Sequence, residues 1–66
     1  MNVRVNGEER AVPEGTTLQG FLDGIALAGV RLAVELNRDV VPAERRAARV
    51  LREGDVLEVV TFVGGG

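Results

Sequence analysis

The segment from Val56 to Val63 places Val56, Val60 and Phe62 on one side of a strand, together with Glu58, and Leu57 and Val59 on the other. A strand interior that is apolar on both faces is ordinarily buried on both. That is a severe constraint on a chain of 66 residues, because one main helix can cover only one face of its sheet. The same segment runs directly into Gly64-Gly65-Gly66. Glycine has the most backbone freedom to lose on ordering, so it is a poor residue for a folded tail. It suits a tail that threads a narrow channel and lies close to another protein's backbone, with the terminal carboxylate as the working group. The plainer reading is a frayed terminus, since chain ends are often disordered.

Length and composition remove several function classes. A domain of this size has one core and buries only about 60% of its unfolded surface. The chain has no cysteine and no histidine. It therefore lacks disulfides, thiolate metal sites, the commonest metal ligand and the usual general base. No close carboxylate pair stands out for acid–base work, and no nucleophile–base constellation is present, which argues against a self-contained enzyme. Net charge is −2, and the only aromatics are Phe21 and Phe62. Nucleic-acid binding ordinarily shows a basic excess with stacking aromatics, and this chain has neither. No apolar run is long enough to span a bilayer and no secretory leader opens the chain, so the expected location is the cytoplasm.

The order of elements follows from periodicity. Val3 and Val5 alternate with Asn2 and Arg4, as in a strand. Asn6-Gly7 is the strongest short hairpin signal, and Glu8 to Val12 returns as a second strand that Pro13 ends. Thr16-x-x-Gln19 reads as a capping box. Leu18, Phe21, Leu22 and Ile25 then share one helix face, with Gly20 and Gly24 on the solvent side. Those two glycines read as tolerated drift in preference to close approach by a partner, and Gly29 reads as the helix stop. Leu32, Val34 and Leu36 form a third strand, Asn37-Arg38 a turn, and Val40-Val41 a short strand closed by Pro42. The stretch from Ala43 to Leu51 is expected to be a loop with a helical turn. Its Arg45, Arg46 and Arg49, with Arg52, read as a solvated face before a dock for an acidic partner. Glu53-Gly54-Asp55 is a tight turn before the last strand. Val60 and Phe62 have two readings: an exposed apolar patch that a partner covers, or side chains packed under the Ala43 to Leu51 segment.

These elements predict an α+β domain, a mixed four- to five-stranded sheet over one main helix. A first hairpin and a last strand flanking a helical crossover point to a β-grasp. Residues 1–63 form the domain and residues 64–66 a flexible tail. Beginning at Met1 and ending on the glycines, the chain is expected to be complete.

Read together, these segments resemble the ThiS family, the small ubiquitin-like sulfur carriers of thiamine biosynthesis. The resemblance covers essentially the whole chain. It rests on Val3-Arg4-Val5-Asn6-Gly7, on Thr17-Leu18, on Ala33-Val34-Glu35-Leu36-Asn37 and on Val40-Val41-Pro42. It continues through Leu51-x-Glu53-Gly54-Asp55-x-Leu57-Glu58-Val59-Val60 to Phe62-Val63-Gly64-Gly65-Gly66. Two features depart from the family pattern. Arg38 stands where glycine often follows the turn asparagine, and Gly20 and Gly24 stand where better helix formers are common.

The resemblance implies a protein substrate in place of a catalyst. An E1-like, ThiF-like adenylating enzyme would use ATP with Mg to convert the Gly66 carboxylate to an acyl-adenylate. A persulfide donor would supply the sulfur of a C-terminal thiocarboxylate, and a ThiG-like thiazole synthase would accept it. No cofactor, metal, nucleic acid or membrane is expected on the carrier itself. Gly66 carries the sulfur, Gly64 and Gly65 give reach, Val60 and Phe62 are docking candidates, and Glu35 and Glu58 on the same outward face set register by charge. The alternatives are a carrier like the small subunit of molybdopterin synthase, and a β-grasp interaction module whose tail is passive.

Overall fold

A computed structural model describes residues 1–25 and 31–62. Five strands form one sheet: β1 (Asn2–Val5), β2 (Glu8–Ala11), β3 (Arg31–Leu36), β4 (Asp39–Val40) and β5 (Val56–Phe62). One helix, α1 (Leu18–Ile25), crosses between the first hairpin and β3, and a 3₁₀ segment (Ala43–Ala48) links β4 to β5. The strand order is β2-β1-β5-β3-β4. β1 and β5 run parallel, and the other neighbours are antiparallel. This is the expected mixed sheet, with the last strand at its centre.

Each hairpin is set by an asparagine turn. Asn6 and Gly7 have φ of 50° and 85°, and Asn37 and Arg38 have φ of 51° and 74°. Both central residues are left-handed, which is the turn whose twist matches that of paired strands. The parity of each strand then decides the core. Val3, Val5, Val34, Leu36 and Leu57 point to the helix side and are buried, and Leu18, Phe21 and Leu22 of α1 close over them. Val12 and Leu51 complete the core from the loops. Ile25, expected on the same stripe, is 40% exposed, so the packed face of the helix ends one turn earlier.

The start of α1 differs from the capping box read at Thr16 and Gln19. Thr17 is the cap: its Oγ1 accepts from the amide of Gly20 at 3.0 Å. Thr16 Oγ1 instead donates to the carbonyl of Pro13, and Gln19 Nε2 donates to Asp23 Oδ1. The reason is the route of residues 49–51, which lie beside the helix entrance. Leu18 N–H donates to the Arg49 carbonyl at 2.7 Å and Leu51 N–H to the Thr16 carbonyl at 2.9 Å. That pairing puts Thr17 in a β-bridge with Val50 and moves the first helical residue to Leu18. Gly29, read as the helix stop, lies outside the described residues.

The Ala43 to Leu51 segment contains the expected helical turn, as the 3₁₀ segment. Arg46 is not part of a solvated face. Its guanidinium donates to the carbonyls of Val41 and Leu32, both at 3.3 Å, and ties the segment to the sheet. Arg45, Arg49 and Arg52 are exposed, as expected.

Asn37 does more than turn the chain. Its Nδ2 donates to Asp55 Oδ1 at 3.0 Å, and its Oδ1 accepts from Val56 N–H at 2.9 Å. Asp55 is 7% exposed and also accepts from Arg52 N–H. Two substitutions in this one turn should therefore act oppositely. Arg38→Gly relieves a left-handed conformation that costs an L-residue about 1 kcal/mol and should raise the melting temperature by about 4–8 °C. Asn37→Gly keeps the turn but removes a donor from the buried Asp55 carboxylate, and should cost about 1–3 kcal/mol in chemical denaturation.

Candidate functional site

The face of the sheet away from α1 is built by β5 and its neighbours. On β5 the even-numbered residues point outward. Val56 stands opposite Arg4 of β1, and Glu58, Val60 and Phe62 stand opposite Glu35, Ala33 and Arg31 of β3. Val40 of β4 stands opposite Glu35 on its other side. Val60 is 56% and Phe62 54% exposed, and Val56 and Val40 are exposed as well. Of the two readings of Val60 and Phe62, the exposed patch is the one observed. The 3₁₀ segment packs against α1, on the side of the sheet that Val60 and Phe62 do not face.

An aromatic and an aliphatic side chain exposed on a central strand are unusual in a monomeric domain, where such surface marks an interaction site. Glu35 and Glu58 lie in the same surface. They are directly cross-strand, both are exposed, and neither has an ion-pair partner among the described residues, whose one salt bridge joins Arg10 to Glu8. Like charges directly opposite in a sheet are destabilising. The outward face thus combines the apolar residues Val56, Val60, Phe62 and Val40 with the cross-strand Glu35–Glu58 pair, while Arg4 and Arg31 stand on the same face without bridging to it. The register brings Glu35, Glu58, Val60 and Phe62 together as strand parity predicted. Val56 and Val40 extend the surface beyond those four.

The glycines Gly64, Gly65 and Gly66 lie outside the described residues. What the structure describes is the strand that leads to them. β3 accompanies β5 as far as the Arg31–Phe62 pair. On the other side β1 ends at Val5, and the side chain of Asn6 takes over: its Nδ2 donates to the Val59 carbonyl at 3.0 Å and its Oδ1 accepts from Val59 N–H at 2.8 Å. Asn6 reads in the sequence only as a turn former. This second role needs the parallel β1–β5 register, which no local pattern reveals.

An open groove of about 350 Å³ lies between β4 and the 3₁₀ segment, with Leu36, Val41, Arg45 and Arg49 among its lining residues. It adjoins the end of β3 that pairs with Leu57, at the opposite end of the β3–β5 ladder from Phe62. No group of three or more metal-ligating side chains occurs among the described residues.

The match to the ThiS family model covers residues 3–66, glycines included. The chain is 46% identical over its whole length to a thiazole synthase of Magnetococcus marinus, but spans only 20% of that longer protein. It is 44% identical to the sulfur carrier protein ThiS of Thermus thermophilus, covering 97% of this chain and 98% of the other. The crystal structure of the thiamine biosynthesis protein ThiS from Geobacter metallireducens superimposes with a TM-score of 0.82 at 33% identity, covering both chains fully.

The outward row makes a stability contrast that is easily checked. Phe62→Ala should change stability by no more than about 0.5 kcal/mol, as at an ordinary surface site. Leu57→Ala, on the same strand with Leu57 fully buried, should cost about 2–5 kcal/mol. Urea titrations of the two variants read the difference directly.

Proposed function

The chain belongs to the ThiS family, and from that premise we propose that it is a sulfur carrier for thiamine biosynthesis, with the sulfur held on the carboxylate carbon of Gly66. The observation that carries this reading is the family match through the glycines to residue 66, joined to an exposed apolar face on the strand that leads into them.

The chemistry asks little of the carrier. A terminal carboxylate is ionised at neutral pH and is a poor acyl donor. An E1-like adenylating enzyme would join it to the α-phosphate of ATP, held with Mg, and release pyrophosphate. The acyl-adenylate then has AMP as a good leaving group. A persulfide sulfur displaces AMP, and a second thiol frees the thiocarboxylate as a disulfide forms. Thiazole synthase would accept that sulfur. Every bond changed lies at the last residue, so the carrier is a substrate and the partners supply the catalytic groups. Residues 64–66, without side chains, give the reach into two different active sites. ATP-dependent activation suits a cytoplasmic location.

The partner surface in this reading is the outward face. Phe62 and Val60 are the anchors, of the aromatic and aliphatic kind that interface cores favour. Glu35 and Glu58 set the register by accepting a cationic side chain from the partner. The similarity to one fifth of a longer thiazole synthase supports thiazole synthase as the acceptor over the large subunit of molybdopterin synthase.

Deleting Gly66 should leave the melting temperature unchanged and abolish complementation of a thiamine-requiring strain that lacks its own carrier. A truncated protein that still restores growth without thiamine would falsify the proposal. Phe62→Ala should weaken binding to the adenylating enzyme by about tenfold or more, the effect of an interface anchor, as read by titration calorimetry.

A further inference from the structure

β5 is a central strand whose two sides are not equally covered. The Asn6 and Leu57 backbones pair at 2.9 Å, and the Asn6 side chain pairs with both backbone groups of Val59. Residues 57 and 59 therefore present their N–H and C=O toward β1. Strand alternation makes residue 61 the next to do so. The opposite strand agrees: the carbonyls of Val34 and Leu32, which face residues 59 and 61, are bonded away from β5, by Val41 N–H and by Arg46. The backbone N–H and C=O of Thr61 thus point to the side that β1 has already left. Thr61 is exposed, and no described residue hydrogen-bonds to that edge. The turn beside it is open too, since a Cβ built on Gly7 meets nothing within 4 Å.

Unpaired strand edges template pairing with other chains, and proteins ordinarily blunt them. The two outer edges of this sheet are blunted. β2 is exposed throughout and carries Glu8, Glu9 and Arg10, and β4 has two residues followed shortly by Pro42. The edge at Thr61 has no charge, no proline and no cover among the described residues. The Asn6 amide also shows that an amide group fits there with good geometry at both Val59 atoms.

We propose that the edge of β5 at Thr61 is a strand-addition site, where the adenylating enzyme lays an extended backbone segment in line with the ladder that Asn6 ends. This rests on the carrier reading above. The complement of an outward N–H and C=O pair is another peptide backbone. Pairing at Thr61 would hold the strand extended just before the glycines and so lower the entropy lost when the tail enters the active site. Side chains on the outward face would choose the partner, and the edge would aim the tail.

Amide hydrogen exchange on the full chain tests this, alone and in complex with the cognate adenylating enzyme and ATP. Val59 N–H should exchange slowly in both states. Thr61 N–H should exchange readily in the free protein and be slowed about tenfold or more in the complex. Thr61→Pro removes only the outward donor, a change that edge positions tolerate. It should raise KM for thiocarboxylation about tenfold with kcat nearly unchanged, the mark of lost uniform binding. A Thr61 amide unaffected by the complex, or a folded Thr61→Pro variant with the wild-type KM, overturns the proposal. If the proline variant does not fold, the exchange data on the wild-type chain decide. Protection of Thr61 in the free protein that grows with concentration would mean a second copy fills the edge, and also overturns it. A wild-type chain that acquires no sulfur in the same assay would instead overturn the carrier reading.

Discussion

Everything in this domain depends on holding β5, the last strand, in the centre of the sheet. β1 is separated from it by most of the chain, so pairing with β1 must offset the closure of a long loop. Two turn asparagines secure the placement. Asn6, at the first hairpin, pairs with Val59 on one side of the strand, and Asn37, at the second, pairs with Val56 through both backbone and side chain on the other. Each residue thus closes its own hairpin and clamps β5. Leu57 lies between the two clamps and is fully buried.

Centrality has a consequence for the surface. A strand flanked on both sides can present side chains only to the two faces of the sheet, and among the described residues one α-helix covers one of them. The other face keeps Val56, Val60, Phe62 and Val40 in solvent, together with the Glu35–Glu58 pair. In a domain this small, such surface is a substantial sacrifice of burial, and the acidic pair adds repulsion. Both are accounted for if a partner covers the face during each transfer. In the proposed reading the same strand would carry the partner surface and continue in sequence into the glycines, so that docking and delivery of the carboxylate would be mechanically one event.

Much of this was legible in the residues. Alternation located β1, β3 and β5, Asn6-Gly7 and Asn37-Arg38 marked both hairpins, and parity put Val60, Phe62, Glu35 and Glu58 on one face. What the sequence did not disclose was long-range. The cap moved from Thr16 to Thr17 because residues 49–51 pair beside the helix entrance. Arg46, in a run that read as solvated, bonds two carbonyls that only the tertiary fold brings within reach. Whether Val60 and Phe62 were covered depended on which side the 3₁₀ segment packs, and no local signal sets that. The clamp by Asn6 is invisible without the β1–β5 register.

The central claim is that Gly66 is a reacting group, and intact mass spectrometry tests it most directly. The protein is incubated with its adenylating enzyme, ATP and a sulfide source, then weighed whole and fragmented. The account predicts a mass gain equal to exchange of one oxygen for sulfur, confined to Gly66. An unchanged mass beside an adenylating enzyme shown to be active on another carrier would contradict it and leave a domain whose glycines take no part in chemistry.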